Sequence, residues 1–188
     1  MASAKSGRVR IIGGKWKRRL ITFPDNRLLR PSPDAVRETL FNWINLDLHG
    51  ARCLDLFAGS GVLGFEAVSR GAASAVLVES DARACRSIRE NIRVLGAEPE
   101  IKLYGGRVES FLARTDQQFE LVFMDPPFQA NLAGEICRIL DDNGLCSAGA
   151  KVYIESAKSN SPLPIPASWN IIRESTRGSV QSTLVQAS

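Results

Sequence analysis

Twenty residues, RCLDLFAGSGVLGFEAVSRG from Arg52 to Gly71, constrain this chain more than any others. The apolar run Cys53, Leu54, Leu56 and Phe57 leads into Gly59, Ser60 and Gly61, and a segment with helical spacing then stops at Gly71. That order predicts a strand, a glycine loop and a helix. Glycine lets the backbone turn sharply and approach a ligand with no Cβ in the way. The unpaired N–H groups at the start of the helix point at whatever sits there, usually something anionic. A nucleotide-like cofactor is the first expectation.

The downstream sequence extends this unit. AVLVES reads as a buried strand ending in Glu79, and Asp81 caps a helix carrying Cys85, Ile88, Ile92 and Leu95 at helical spacing up to Gly96. IKLYG predicts a strand, RVESFLAR a short helix, and FELVFM a strand that runs into Asp125, Pro126, Pro127 and Phe128. A helix through Ile136, Ile139 and Leu140 ends at Asn143 and Gly144. KVYIES follows as a strand, and WNIIRE with SVQSTLVQ predicts a C-terminal antiparallel hairpin. Strands alternating with helices make an α/β fold, here a seven-stranded, mostly parallel sheet covered on both faces. Ligands of such sheets lie over the C-terminal strand ends near the switch point. Asp55 to Gly61 and Asp125 to Phe128 both fall there.

Gly59 to Gly64 fits GxGxxG, and Glu79 follows at the spacing of a ribose-binding acid. NAD and S-adenosylmethionine fit equally so far. Asp55 favours the second, because a carboxylate beside the loop repels a pyrophosphate and suits an ammonium and a sulfonium; a brace accepting backbone N–H bonds is its plainer reading. The DPPF sequence narrows the chemistry. An exocyclic amine conjugated to its ring is a poor nucleophile unless its hydrogens are held out of plane. The Asp125 carboxylate and Pro126 carbonyl can accept those hydrogens, the two prolines stiffen the loop, and Phe128 can stack on an unstacked base. A strained Pro-Pro turn is the alternative.

Charge divides the chain. Residues 1–30 hold nine Lys or Arg against the single acid Asp25, whereas the remainder holds fifteen bases and nineteen acids. RVRII and RRLITF flank GGKWK and predict a basic β-hairpin turning at Gly13 and Gly14. Arg8, Arg10, Lys15, Lys17, Arg18 and Arg19 surround Trp16, the charge-plus-ring combination of nucleic-acid surfaces, though a solvated edge hairpin fits equally. Ser32 followed by Pro33 predicts the start of a helix, DAVRETLFNWI, with Val36, Leu40, Trp43 and Ile44 on one face. Arg30 and Arg37 flank its start and extend the basic surface. The expected division is a disordered tail at 1–7, a basic RNA-contacting hairpin and helix extension at 8–48, and the main domain at 49–188. Widely spaced Cys53, Cys85, Cys137 and Cys146, with His49 alone, predict neither disulfides nor a metal site. With no membrane-length apolar run or signal peptide, a cytoplasmic protein is expected, and a monomer.

The segments RIIGGKWKRRL, RPSPDAVRETLFNW, LDLFAGSGVLGFEAVSRGA and DPPF, in this order, closely resemble the bacterial RsmD-type 16S ribosomal RNA guanine-N2 methyltransferases. The resemblance implies a Rossmann-like class I fold, S-adenosyl-L-methionine as cofactor, and a guanine N2 of 16S rRNA, in the small subunit or an assembly intermediate, as acceptor. It makes Asp55 and the loop Phe57, Ala58, Gly59, Ser60 and Gly61 the methionine-end site, and Glu79 with Ser80 the ribose side. Asp125, Pro126, Pro127 and Phe128 become the catalytic loop, with Asp125 also beside the cofactor, and the hairpin the RNA contact. Arg107 and Val108 take the adenine position, although Arg107 departs from the family's usual Asp or Asn. The rivals are a same-fold enzyme acting on a protein glutamine amide or another nucleic-acid amine, an NAD(P)-dependent oxidoreductase, and a noncatalytic RNA-binding module.

Overall fold

The computed structural model describes residues 6–25, 31–127, 132–158 and 162–188. Two strands, β1 (Ser6–Arg10) and β2 (Leu20–Pro24), pair antiparallel and precede helix α1 (Asp34–Trp43). Then follow β3 (Arg52–Asp55), α2 (Val62–Ser69), β4 (Ser74–Glu79), α3 (Ala82–Leu95), β5 (Ile101–Gly105), α4 (Val108–Leu112), β6 (Phe119–Met124) and α5 (Leu132–Asp142). Strands β7 (Cys146–Ala157), β8 (Asn170–Arg177) and β9 (Val180–Gln186) complete the chain. The main sheet has seven strands in the order β5-β4-β3-β6-β7-β9-β8, parallel from β5 to β7 and antiparallel across β7, β9 and β8. The strand order reverses between β3 and β6, so the crevice of this α/β fold opens above those two strands.

Local sequence explains the central unit. Every residue of α2 is buried, because the sheet covers one side and the chain before β2 covers the other. Gly64 lies against Leu77, and a Cβ there collides with the leucine side chain. Gly61 closes the loop at φ 77°, a left-handed conformation suited to glycine. Asp81 caps α3 by accepting the Arg83 and Ala84 N–H groups at 2.9 and 2.8 Å, and Gly96 ends it at φ 62°.

The hairpin and helix of residues 8–48 pack onto the main domain. Val9, Ile11, Trp16, Ile21 and Phe23 join Leu40, Phe41 and Ile44 in one core cluster with α2, α3 and one face of the sheet. A second cluster, with α4 and α5, fills the other face. Asn91 of α3 fastens β2, accepting the Thr22 N–H at 3.0 Å and donating to the Thr22 carbonyl at 2.8 Å.

Several expectations need correction. Ser6 and Gly7 belong to β1 and not to a tail; residues 1–5 lie outside the described residues. Ser32 does not cap α1: Pro33 occupies the cap position with no side-chain bond, and the Ser32 hydroxyl donates to Glu155. Phe41 and Arg37 join Leu40 and Ile44 as the buried residues near α1, while Trp43 is half-buried against the same core cluster and Val36 is half-buried. Strand β7 starts at Cys146, upstream of Lys151, because Cys146 already pairs with Phe119.

Candidate active site

The carboxyl ends of β3, β4, β6 and β7 and the N-terminal end of α4 surround a cleft of about 1050 Å³. Phe57, Gly59, Glu79, Ser80, Asp125 and Pro126 line it, as do Arg107, Val108 and Pro127. The glycine loop and the Asp-Pro-Pro loop, seventy residues apart at Asp55 and Asp125, thus face one cavity. Phe128 and Arg30 lie outside the described residues.

The loop has two layers. Phe57 and Gly59 reach the cleft, whereas Ala58, Ser60 and Gly61 are buried and shape it from behind. Ala58 N–H donates to the Val78 carbonyl at 3.0 Å, Gly61 N–H to Ala58 at 2.6 Å, and Val62 N–H to the Ser60 hydroxyl at 3.3 Å. Asp55 does not reach the cavity wall. It is buried, and its carboxylate accepts the Gly64 and Phe57 N–H groups, so it braces the loop from beneath. Burial first, then the Asp125 and Glu79 charges, push its pKa up to about 7. Glu79 stands at the edge, accepting the Gly59 N–H and the Asp81 N–H at 2.7 Å each. Arg107 ends the strand-to-helix connection before α4, and its guanidinium donates to Glu109 at 3.2 Å.

The charge of the lining decides between cofactors. Among the described residues Glu79, Asp81, Glu109, Asp125 and Glu155 provide five carboxylates, and Arg107 the single cationic side chain, already paired. A pyrophosphate is repelled by such a wall; an ammonium and a sulfonium are attracted. No group of His, Cys, Asp and Glu among the described residues is arranged to hold a metal, and no helix there is long and apolar enough to cross a membrane.

The basic loop between β1 and β2 packs on the C-terminal half of α2, and none of its residues lines the cleft. The Glu66 carboxylate, fully buried, accepts the Ile12 N–H at 2.8 Å, the Gly13 N–H at 2.8 Å, Arg37 at 3.2 Å and Arg70 at 2.8 Å. Ser69 adds a bond to the Trp16 N–H at 2.9 Å. These anchors overturn two expected RNA contacts. Trp16 is 9% exposed with its ring edge on Phe65, so no base can stack on it. Arg37 is 0% exposed and neutralises Glu66, so no phosphate reaches it. Lys15 is partly committed, pairing with Glu100 and lying 4.4 Å from the Trp16 ring centre. Arg8, Arg10, Lys17, Arg18 and Arg19 remain exposed, Arg10 beside Asp34.

Residues 9–186 match the family described as Conserved hypothetical protein 95, and Ribosomal RNA small subunit methyltransferase D of Escherichia coli (strain K12) is 42% identical over 181 residues. The chain is a member of this RsmD-type family. The match to the Escherichia coli relative covers 96% of this chain and 91% of that one. Its namesake from Haemophilus influenzae is 38% identical, covering 96% and 94%. The solved Escherichia coli protein yhhF superposes with a TM-score of 0.89 at 41% identity, covering 96% of this chain and 98% of its own. The Rossmann-like methyltransferase fold expected from the motifs is the fold observed.

One residue of this family member's site escaped the sequence reading. Glu155, on β7, lines the cleft together with Asp125. Burial, then the Glu155 charge, holds Asp125 above the usual carboxylate range, and burial does the same for Glu155. KVYIES carried a signal: its Glu is the acid at the carboxyl end of a buried parallel strand, as Asp55, Glu79 and Asp125 are.

The sign of the pH effect follows from Asp55. Its ordinary value of 3.8 rises to about 7 on folding, so the folded chain holds a proton the unfolded chain has lost between those values. This group's share of stability therefore falls as pH rises from about 4 to about 7 and is flat above. A bound cation reverses the preference. Titration calorimetry at pH 7 in two buffers of different ionisation enthalpy should show protons released as S-adenosylmethionine binds; equal heats in both buffers contradict the electrostatic account of the cleft.

Proposed function

We propose that this protein is an S-adenosylmethionine-dependent methyltransferase that methylates the exocyclic N2 of a guanine in 16S rRNA. It acts as a cytoplasmic monomer on the small subunit or its assembly intermediate. One observation carries the reading: a glycine loop and a half-buried Asp-Pro-Pro loop share an acidic cleft, in a chain whose relatives are named small-subunit rRNA methyltransferases.

The residues present fit the cofactor. Of the residues lining the cleft, Phe57 and Gly59 would hold its methionine end, Glu79 and Ser80 its ribose, and Arg107 and Val108 its adenine. When bound, S-adenosylmethionine supplies a methyl group on an electrophilic sulfonium. The chain's contribution is positional. Asp125 and the Pro126 carbonyl accept the two amine hydrogens, freeing the nitrogen lone pair from the ring and aiming it into the cleft. Pro126 is buried and Pro127 exposed, so the loop is anchored at one residue and open at the next. The Asp125 carboxylate accepts most strongly when ionised, so transfer is expected to rise with pH through the neutral range.

Calorimetry tests the cofactor. S-adenosylhomocysteine should bind and NADH should not; the reverse removes the methyltransferase reading. For RNA contact the candidates are Arg8, Arg10, Lys15, Lys17, Arg18 and Arg19, of which Lys17, Arg18 and Arg19 are exposed and adjacent on the anchored loop. Charge reversal at those three should weaken binding to small-subunit RNA and flatten its logarithmic salt slope by roughly two to three. An unchanged slope would make the loop a solvated edge.

A further inference from the structure

Four of the five cleft carboxylates already have work: Glu79 holds the Gly59 N–H, Asp81 caps α3, Glu109 pairs with Arg107, and Asp125 faces the acceptor. Glu155 has none, yet it is held in one orientation. The Tyr153 hydroxyl donates to its Oε1 at 2.9 Å and the Ser32 hydroxyl to the same oxygen at 3.3 Å. Ser182 in turn lies 3.0 Å from the Tyr153 oxygen. Among the described residues Oε2 has no hydrogen-bond partner, and the side chain, 8% exposed, borders the cavity. The register sets it beside Asp125. Phe123 pairs with Tyr153 and Met124 with Ile154 on adjacent parallel strands, and Asp125 and Glu155 are the next residues of each. Phe123 and Tyr153 share a core cluster, so two residues on, the alternation of side chains brings both carboxylates to that same face.

An ionised carboxylate only accepts hydrogen bonds, so two of them side by side read a run of donors. Asp125 and the Pro126 carbonyl take the two hydrogens of one amine. A second acceptor next to them selects a ring whose neighbouring nitrogen also carries hydrogen. Guanine offers that pattern, N1–H beside the N2 amine; adenine and cytosine place a bare acceptor nitrogen beside theirs. We infer that Glu155 is the guanine-selecting residue of this site, its Oε2 accepting N1–H while Asp125 and Pro126 hold the N2 hydrogens. This rests on the reaction proposed above. The charged and titratable groups around Glu155 among the described residues are Asp125, just after β6, and Tyr153 from its own strand, with Asp55 next to Asp125 and Glu79 next to Asp55; Ser32, before α1, and Ser182, on β9, are neutral.

The test uses small-subunit RNA ligated with either guanine or 2-aminopurine at the methylated position; 2-aminopurine keeps the N2 amine but has no hydrogen on N1. The wild-type enzyme should methylate the 2-aminopurine RNA at least about a hundredfold more slowly. Glu155→Gln, whose amide can donate to a bare N1, should lose roughly tenfold to a hundredfold in kcat/KM on guanine and narrow the gap at least tenfold. Its S-adenosylhomocysteine affinity should match wild type, and its Tm should not fall below it. With the like charge removed, the midpoint of its pH–rate curve should move to lower pH. A wild-type ratio near one overturns the inference whatever the variant does, as does a gap that Glu155→Gln leaves unchanged. Absence of N2-methylguanosine from the wild-type reaction on guanine RNA overturns the reaction itself instead.

Discussion

Asp125→Ala should bind S-adenosylhomocysteine within about threefold of wild type while methyl transfer falls by about 10³-fold or more. In the proposed reaction the carboxylate meets the acceptor, and the lining residues assigned to the cofactor, Phe57, Gly59, Glu79 and Ser80, are left intact. Asp125→Asn separates function from stability. The native carboxylate is crowded by burial and by Glu155, which holds its pKa up, so its ionised form is disfavoured in the fold. A neutral amide of the same shape removes that repulsion. The variant should therefore melt higher than wild type at pH 8 and still be inactive. An active Asp125→Ala enzyme would remove the role assigned to the loop; an inactive variant that also lost cofactor affinity would move Asp125 to the donor side.

The second large effect is structural. Glu66→Ala should lower stability by about 3 to 5 kcal/mol, because it removes the buried charge partner of the buried Arg37 guanidinium and leaves it only the exposed Asp34, at 2.6 Å. It also strips the Ile12 and Gly13 N–H groups of their acceptor. For a chain of this length that is a fall in Tm of roughly 10 °C. The double variant Glu66→Leu with Arg37→Met should lose less than the two single changes added together, since each removes a buried charge that the other change leaves short of a partner, Arg37 keeping only Asp34 and Glu66 only Arg70. Additive losses in the melting curves would mean that the two side chains act independently.

What could be read from the sequence was local. The glycine loop, the Asp81 cap with its Gly96 stop, and the alternation of strand and helix are written in neighbouring residues, and they carried the parallel sheet and the position of its crevice. Partners distant in sequence were not legible. Trp16 among six bases looks like a nucleic-acid surface by composition, but its burial depends on Phe65 and Ser69, some fifty residues away. Ser32 reads as a cap until Glu155 competes for its hydroxyl. Two signals went unused. Glu66 is the only charge in the helix VLGFEAVS, and such a residue must find a partner inside. Arg37 lies three, four and seven residues before Leu40, Phe41 and Ile44, on the face that helical periodicity buries. Paired with each other, the two explain why a strongly basic segment packs into the core and still leaves Lys17, Arg18 and Arg19 outside.

The acceptor nitrogen decides the function. Incubating the protein with tritiated S-adenosylmethionine and small subunits from cells lacking this methylation, then digesting the RNA and mapping the label, addresses it directly. The label should appear as N2-methylguanosine at a single position of 16S rRNA. Label on a protein glutamine, on another base, or nowhere would contradict it.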